Sequence, residues 1–167
     1  MLPRLNFVFS FIFPLLLCVQ LFAQEQEALS KAPQWQLFTE DGKQVNSSDF
    51  AGKPLIIHFW ATWCPYCKKL QPGLDKLYKT YQSEGLQLIA VSFWEDEGAT
   101  PQAELVARGL SFDTVVKGDD VARKGFAVKG TPTTVFIDKN GYIVASTRIS
   151  DPEDPRLERM VKLLLEM

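Results

Sequence analysis

At 167 residues, 46% of them hydrophobic, the chain has enough apolar mass for one packed domain plus a short additional segment. Its 18 Lys and Arg oppose 20 Asp and Glu, for a net charge of −2, and its basic runs (Lys68-Lys69, Arg123-Lys124) are short. That excludes the electrostatic footprint of a nucleic-acid binder.

The additional segment is N-terminal. Met1 to Asn6 carries one Arg, Phe7 to Phe22 is apolar except for Ser10 and Gln20, and Ala23 gives way to Gln24-Glu25-Gln26-Glu27. A basic start, an apolar stretch and a small residue before a polar one describe a secretory signal peptide over residues 1–23, with an uncleaved anchor as the alternative. The domain is then 24–167, and the mature chain keeps only Cys64 and Cys67 of the three cysteines.

After a polar lead, Trp35 to Phe38 and Lys43 to Val45 flank Glu40-Asp41-Gly42, a hairpin signal. Ser47-Ser48-Asp49-Phe50 reads as a single capped turn. Pro54 to Trp60 is almost continuously apolar and suits a strand buried on both faces. An amphipathic helix follows Cys64 to about Gly85, with Leu70, Leu74, Leu77 and Tyr81 on one face and a kink expected at Pro72. Leu86 to Phe93 is a second buried strand, and Glu95-Asp96-Glu97 after it reads as a solvated loop at an edge where α/β sites tend to lie.

Thr100-Pro101 opens a helix that Gly109 closes. Phe112 to Val116 reads as a strand, and Asp119 as the cap of a brief helix ending near Gly125. Thr133 to Ile137, the turn Asp138 to Gly141, and Tyr142 to Ile149 form a second hairpin. Pro155 to Glu166 is a terminal helix with Leu157, Met160, Val161 and Leu164 on one side. This order gives an α/β fold with a mixed central sheet flanked by helices and an N-terminal β-hairpin extension.

Chemistry concentrates in Trp63-Cys64-Pro65-Tyr66-Cys67. Cys64 falls at a helix N-terminus, where unpaired N–H groups and the helix dipole favour a thiolate, the nucleophilic form. Lys68 and Lys69 act in the same direction. Cys67, one turn on, is placed to attack a mixed disulfide formed on Cys64. A zinc site would need two further ligands, and only Cys18 and His58 remain. A structural disulfide closing so short a loop removes little chain entropy. Gly130-Thr131-Pro132-Thr133-Thr134, directly before a strand, is the second feature, since a proline there belongs in a turn. Trp63, Phe126 and Val128 are read either as an apolar rim for protein substrates or as core.

With Ala32-Pro33, Asp41-Gly42, Phe50-x-Gly52-Lys53, Phe59 to Cys67, Pro72, Gly130 to Thr134 and Asp138-x-x-Gly141, the chain resembles the exported TlpA/ResA group of thioredoxin-like disulfide reductases over residues 33–166. The resemblance implies a thioredoxin fold, Cys64 as attacking and Cys67 as resolving thiol, and a cis Thr131–Pro132 bond against the dithiol. It also implies that the Thr131 backbone pairs with an extended substrate that meets Trp63, Pro65 and Tyr66 as well. Three positions differ from that pattern. Leu70 replaces a glutamate frequent three residues after the second cysteine, and Thr133 replaces one common after the proline in cytochrome c maturation relatives. His58 replaces the buried aspartate of thioredoxins, and is read either as a core residue or as proton acceptor for Cys67.

The Pro65-Tyr66 dipeptide resembles that of glutaredoxins, which implies a potential near about −200 mV. The expectation is a periplasmic, monomeric thiol–disulfide oxidoreductase without metal or bound cofactor. It would act on protein thiols and be fed electrons by a membrane partner. An oxidase or isomerase is the rival within the class, and a copper(I)-holding assembly factor the rival outside it. Peroxidase chemistry fits less well, because Thr62 lies two residues before Cys64 rather than three.

Overall fold

The computed structural model describes residues 29–167 and opens with the hairpin foretold by Asp41-Gly42. Strand β1 (Gln36–Phe38) pairs antiparallel with β2 (Gln44–Asn46), and Gly42 takes the left-handed φ of 84° that the tight turn requires. A single 3₁₀ turn, Ser47–Phe50, follows, with the Asn46 N–H donating to Asp49 Oδ2 at 2.8 Å. The signal-peptide reading of residues 1–23 lies outside the described residues. No helix among the described residues is long and apolar enough to cross a membrane.

The main sheet has five strands in the order β5-β4-β3-β6-β7. Strand β3 (Leu55–Trp60) is its centre, with β4 (Gln87–Ser92) parallel on one side and β5 (Thr114–Val115) parallel beyond that. On the other side β6 (Thr133–Ile137) runs antiparallel to β3, and β7 (Ile143–Thr147) antiparallel to β6. The helices are α1 (Pro65–Tyr81), α2 (Pro101–Ala107) and α3 (Pro155–Glu166).

All six residues of β3 are buried because each face meets its own layer. Ile56 and Trp60 join Leu70 and Leu74 of α1 and Leu157, Val161 and Leu164 of α3. Leu55, Ile57 and Phe59 join Trp35 and Leu37 of the hairpin region, Phe93 and Val128. Each such side chain contributes about 1.5–3 kcal/mol when fully buried, so the continuous apolar run reflects two cores rather than one.

The N-terminal stretch does more than cover a face. Ile143 N donates to Ser30 O at 2.8 Å and Ala32 N to Gly141 O at 2.9 Å, at the start of the outer strand β7. Farther along the same segment, Phe38 O accepts from Val116 N at 2.8 Å, just past the opposite outer strand β5. One short segment therefore ties down both sides of the sheet.

Helix α1 runs unbroken through Pro72. Proline lacks the N–H that would bond Lys68 O four residues back. Arg108 fills the gap: its Nη2 donates to Lys68 O at 2.5 Å, while Nη1 donates to Gln71 Oε1. Two sequence expectations are corrected here. The strand expected over Phe112 to Val116 contracts to two residues, and Asp119 caps no helix. Val121–Gly125 is a π-type turn without a side-chain cap, and Asp119 Oδ1 accepts instead from Trp94 N at 3.2 Å.

Candidate active site

Cys64 is the N-cap of α1, with Pro65 at the first helical position, where a missing N–H costs nothing. Its Sγ accepts from Cys67 N at 3.1 Å, so the helix N-terminus contributes a donor directly to the sulfur. Cys64 and Cys67 are joined as a disulfide, with Cα atoms 5.3 Å apart. Both are buried and belong to one apolar cluster with Trp60 and Leu70. The position of the expected carboxylate is thus a fully buried leucine among the dithiol's own neighbours. Of the two lysines after the pair, Lys68 is engaged by Glu104 at 2.8 Å.

The proline turn reaches the same place through strand register. Phe59 of β3 pairs with Thr133 of β6 in antiparallel fashion, so the residues after Trp60 lie beside those before Thr133. Thr131–Pro132 is cis, and Thr133 Oγ1 closes the turn by donating to Gly130 O at 2.7 Å. Tyr66, Thr131 and Pro132, with Arg148 and Ser150, line a cleft of about 290 Å³. Pro132 is buried, Thr131 half-buried, and Pro65 exposed.

Aromatic exposure marks the rim. Tyr66 is 63% exposed, Trp94 53% and Trp63 44%. Trp63 and Trp94 meet edge to face at 5.6 Å, and Trp63 Nε1 donates to Trp94 O at 2.7 Å. Trp94 holds a left-handed φ of 59°, its N–H taken by Asp119 and its ring covered by the Arg123 guanidinium at 5.2 Å. Val128 is buried and Phe126 packs on Phe59 at 5.2 Å, so of the three residues weighed for a rim only Trp63 is exposed.

Glu95 corrects the reading of the acidic run as a solvated loop. Its carboxylate accepts from Thr62 N at 2.9 and 3.0 Å, from Thr62 Oγ1 at 2.6 Å and from Ser92 Oγ at 2.6 Å. Two residues before Cys64, the backbone N–H and hydroxyl of Thr62 are thus both held by one carboxylate. The sequence carried a signal for it, an acid just past the carboxyl end of a central strand.

His58 lies on the Ile56 and Trp60 side of β3, the side that packs against α1. Its Nδ1 is 3.2 Å from Thr134 Oγ1 on β6, and its Nε2 has no partner. Complete burial pushes its pKa down to about 3. We assign the tautomer with hydrogen on Nδ1, because the alternative buries an N–H without an acceptor. The ring is then neutral with a bare Nε2.

The AhpC/TSA family matches residues 29–146 of this chain. The thiol-disulfide oxidoreductase ResA of Geobacillus thermodenitrificans is 34% identical over 115 residues, covering 68% of this chain and 65% of that protein. ResA of Geobacillus kaustophilus is 32% identical over 133 residues, 77% of this chain and 75% of that protein. The chain thus spans about two thirds to three quarters of these relatives. Among solved structures, a thiol:disulfide interchange protein of the thioredoxin family from Chlorobium tepidum superposes with a TM-score of 0.71 at 25% identity, over 84% of this chain and 99% of that one. The thioredoxin domain of a thiol-disulfide oxidoreductase from Bacteroides vulgatus gives 0.69 at 26%, over 83% and 98%.

Proposed function

Because the chain belongs to the AhpC/TSA family, and within it to the ResA-type thiol–disulfide oxidoreductases of thioredoxin fold, we propose that it reduces protein disulfides outside the cytoplasm through Cys64 and Cys67. The observation that carries the reading is the placement of Cys64: an N-cap sulfur accepting a helix N–H, at the end of the sheet where the cis-proline turn also lies.

The Cys64 thiolate attacks one sulfur of the substrate disulfide. That S–S bond breaks, a mixed disulfide forms, and the first substrate thiolate leaves and takes up a proton. Cys67 then loses its proton and attacks the Cys64 sulfur. The Cys64–Cys67 disulfide forms, the second substrate thiolate leaves, and two electrons have passed to the substrate. A membrane-borne dithiol donor restores the thiols.

The substrate segment lies along Thr131 as an added strand, between Trp63 on one side and Pro65 and Tyr66 on the other. His58 serves resolution through its bare Nε2, which takes up a proton transiently as Cys67 attacks. A ring with so low a pKa is a weak base, so its part is smaller than that of a base tuned near neutrality. The protein acts as a periplasmic monomer after loss of its leader.

The test is equilibration of the Cys64–Cys67 pair with glutathione buffers, together with reduction of a peptide disulfide by wild type, Cys64→Ser and Cys67→Ser. A potential near about −200 mV, loss of all exchange in Cys64→Ser and accumulation of a mixed disulfide in Cys67→Ser are expected. Undiminished turnover in Cys64→Ser would overturn the assignment.

A further inference from the structure

We propose that the cleft beside the cis-proline turn is a selectivity pocket for an acidic side chain of the substrate polypeptide, held by Arg148. This deepens the proposed reductase function and rests on it.

The exposed Arg148 guanidinium lies beside Gly130. A Cβ at position 130 would stand 3.0 Å from Arg148 Nη2 and 3.6 Å from its Cζ, so the planar group lies against the backbone just before Thr131. Gly130 has no need of a left-handed backbone, as it is absent from the glycines of positive φ. A side chain at position 130 would crowd the end of the Arg148 side chain. From there Arg148 lines the cleft with Tyr66, Thr131, Pro132 and Ser150.

Arg148 is also uncommitted among the described residues. Arg156 pairs with Asp154, Arg108 bonds the α1 backbone, and Arg123 covers Trp94. The ion pairs of the described residues do not include Arg148. The nearest acid in sequence, Asp151, turns its Oδ1 to the N–H of Glu153 at 3.2 Å. Lys129, exposed and next to Gly130 in sequence, carries charge of the same sign.

A substrate strand aligned with Thr131 points alternate side chains toward the protein. One of them, within two residues of the reacting cysteine, enters this cleft. A guanidinium receives a carboxylate through two parallel N–H donors and has no acceptor for a lysine.

The experiment measures second-order rate constants for the reduced full chain by stopped-flow tryptophan fluorescence. The probes are peptides whose single cysteine is blocked as a mixed disulfide with a small thiol, and which carry Asp or Lys two residues from that cysteine. Wild type should favour the Asp peptide by about tenfold. The Asp-to-Lys ratio should fall to near one in Arg148→Gln and invert in Arg148→Glu. Because each ratio is taken within one protein, a general change of reactivity cancels. An Asp moved six residues away should give no preference in wild type, separating a pocket from a diffuse field. Equal rates for both peptides in wild type, or a ratio that survives Arg148→Gln, would overturn the pocket while leaving the reductase standing. Failure of wild type to react with 2-hydroxyethyl disulfide, an uncharged probe, would instead remove the reductase reading and the pocket with it.

Discussion

Acidification tests the burial of His58 directly. In the folded protein the ring resists protonation down to about pH 3, whereas in the unfolded chain it protonates near its ordinary value of 6.5. At neutral pH both states carry a neutral ring, and the group contributes its full share of stability. As pH falls below 6.5 the unfolded chain gains a proton that the folded chain refuses, so stability drops by about 1.4 kcal/mol per pH unit. At pH 4.5 the loss is roughly 3 kcal/mol, and it approaches about 5 kcal/mol once the folded ring titrates as well. Urea unfolding of the oxidised protein at pH 7.5 and 4.5 measures this, with His58→Asn as reference, since asparagine keeps a polar group facing Thr134 and does not titrate. Carboxylates such as Asp154, held at about 2 by its hydrogen bond to Arg156, are common to both proteins and cancel in the comparison. Wild type should therefore lose about 3 kcal/mol more than the variant over this interval. Equal losses would show that His58 is hydrated or paired in the fold, and the account of its burial would fall. The same variant should slow resolution of the mixed disulfide by about tenfold while sparing the first attack.

Glu95→Gln keeps the size of the side chain but gives up its charge and one acceptor oxygen. It should cost about 1.5–3 kcal/mol in urea unfolding and slow attack by Cys64, because Thr62 is held by one neutral acceptor instead of a carboxylate. Unchanged stability and rate would reduce Glu95 to a surface residue. Arg108→Ala should cost a similar amount, about 1.5–3 kcal/mol, by leaving Lys68 O without a donor. That cost should shrink in a Pro72→Ala background, where the helix supplies its own N–H. A double-mutant cycle with no coupling between positions 72 and 108 would refute the link.

What was legible in the sequence is what local pattern dictates. The run from Pro54 to Trp60, the capped start of α1 at Cys64, and the hairpins at Asp41-Gly42 and Asp138 to Gly141 follow from periodicity and turn chemistry. The cis bond before Pro132 followed from resemblance, since a lone loop proline does not declare it. What stayed hidden depends on which loops meet in space. Glu95 reads as one charge among three until Thr62 and Ser92 are found on either side of it. Asp119 carries the signature of a helix cap, yet its carboxylate serves Trp94, held there by a backbone turn from another part of the chain. Val128 reads equally well as rim or core because its environment is set by the far face of β3. Arg148 gave no signal of its own, as only the fold brings it beside Gly130, Tyr66 and Pro132.

The segment that joins Ser30 and Ala32 to β7 and Phe38 to β5 has a consequence for N-terminal truncation. Outer strands present unpaired backbone groups that template polymerisation, and here one nine-residue stretch, 30–38, shields part of both. Cleavage at residue 23, the proposed end of the leader, would leave this clasp whole. Trimming that strays into residues 30–32 frees the start of β7, and loss of the stretch through Phe38 also bares β5 and strips Trp35 and Leu37 from the second core. The tolerance for N-terminal truncation is therefore narrow. A chain clipped at residue 38 would keep its dithiol and still be drawn into strand-to-strand association before it met a client.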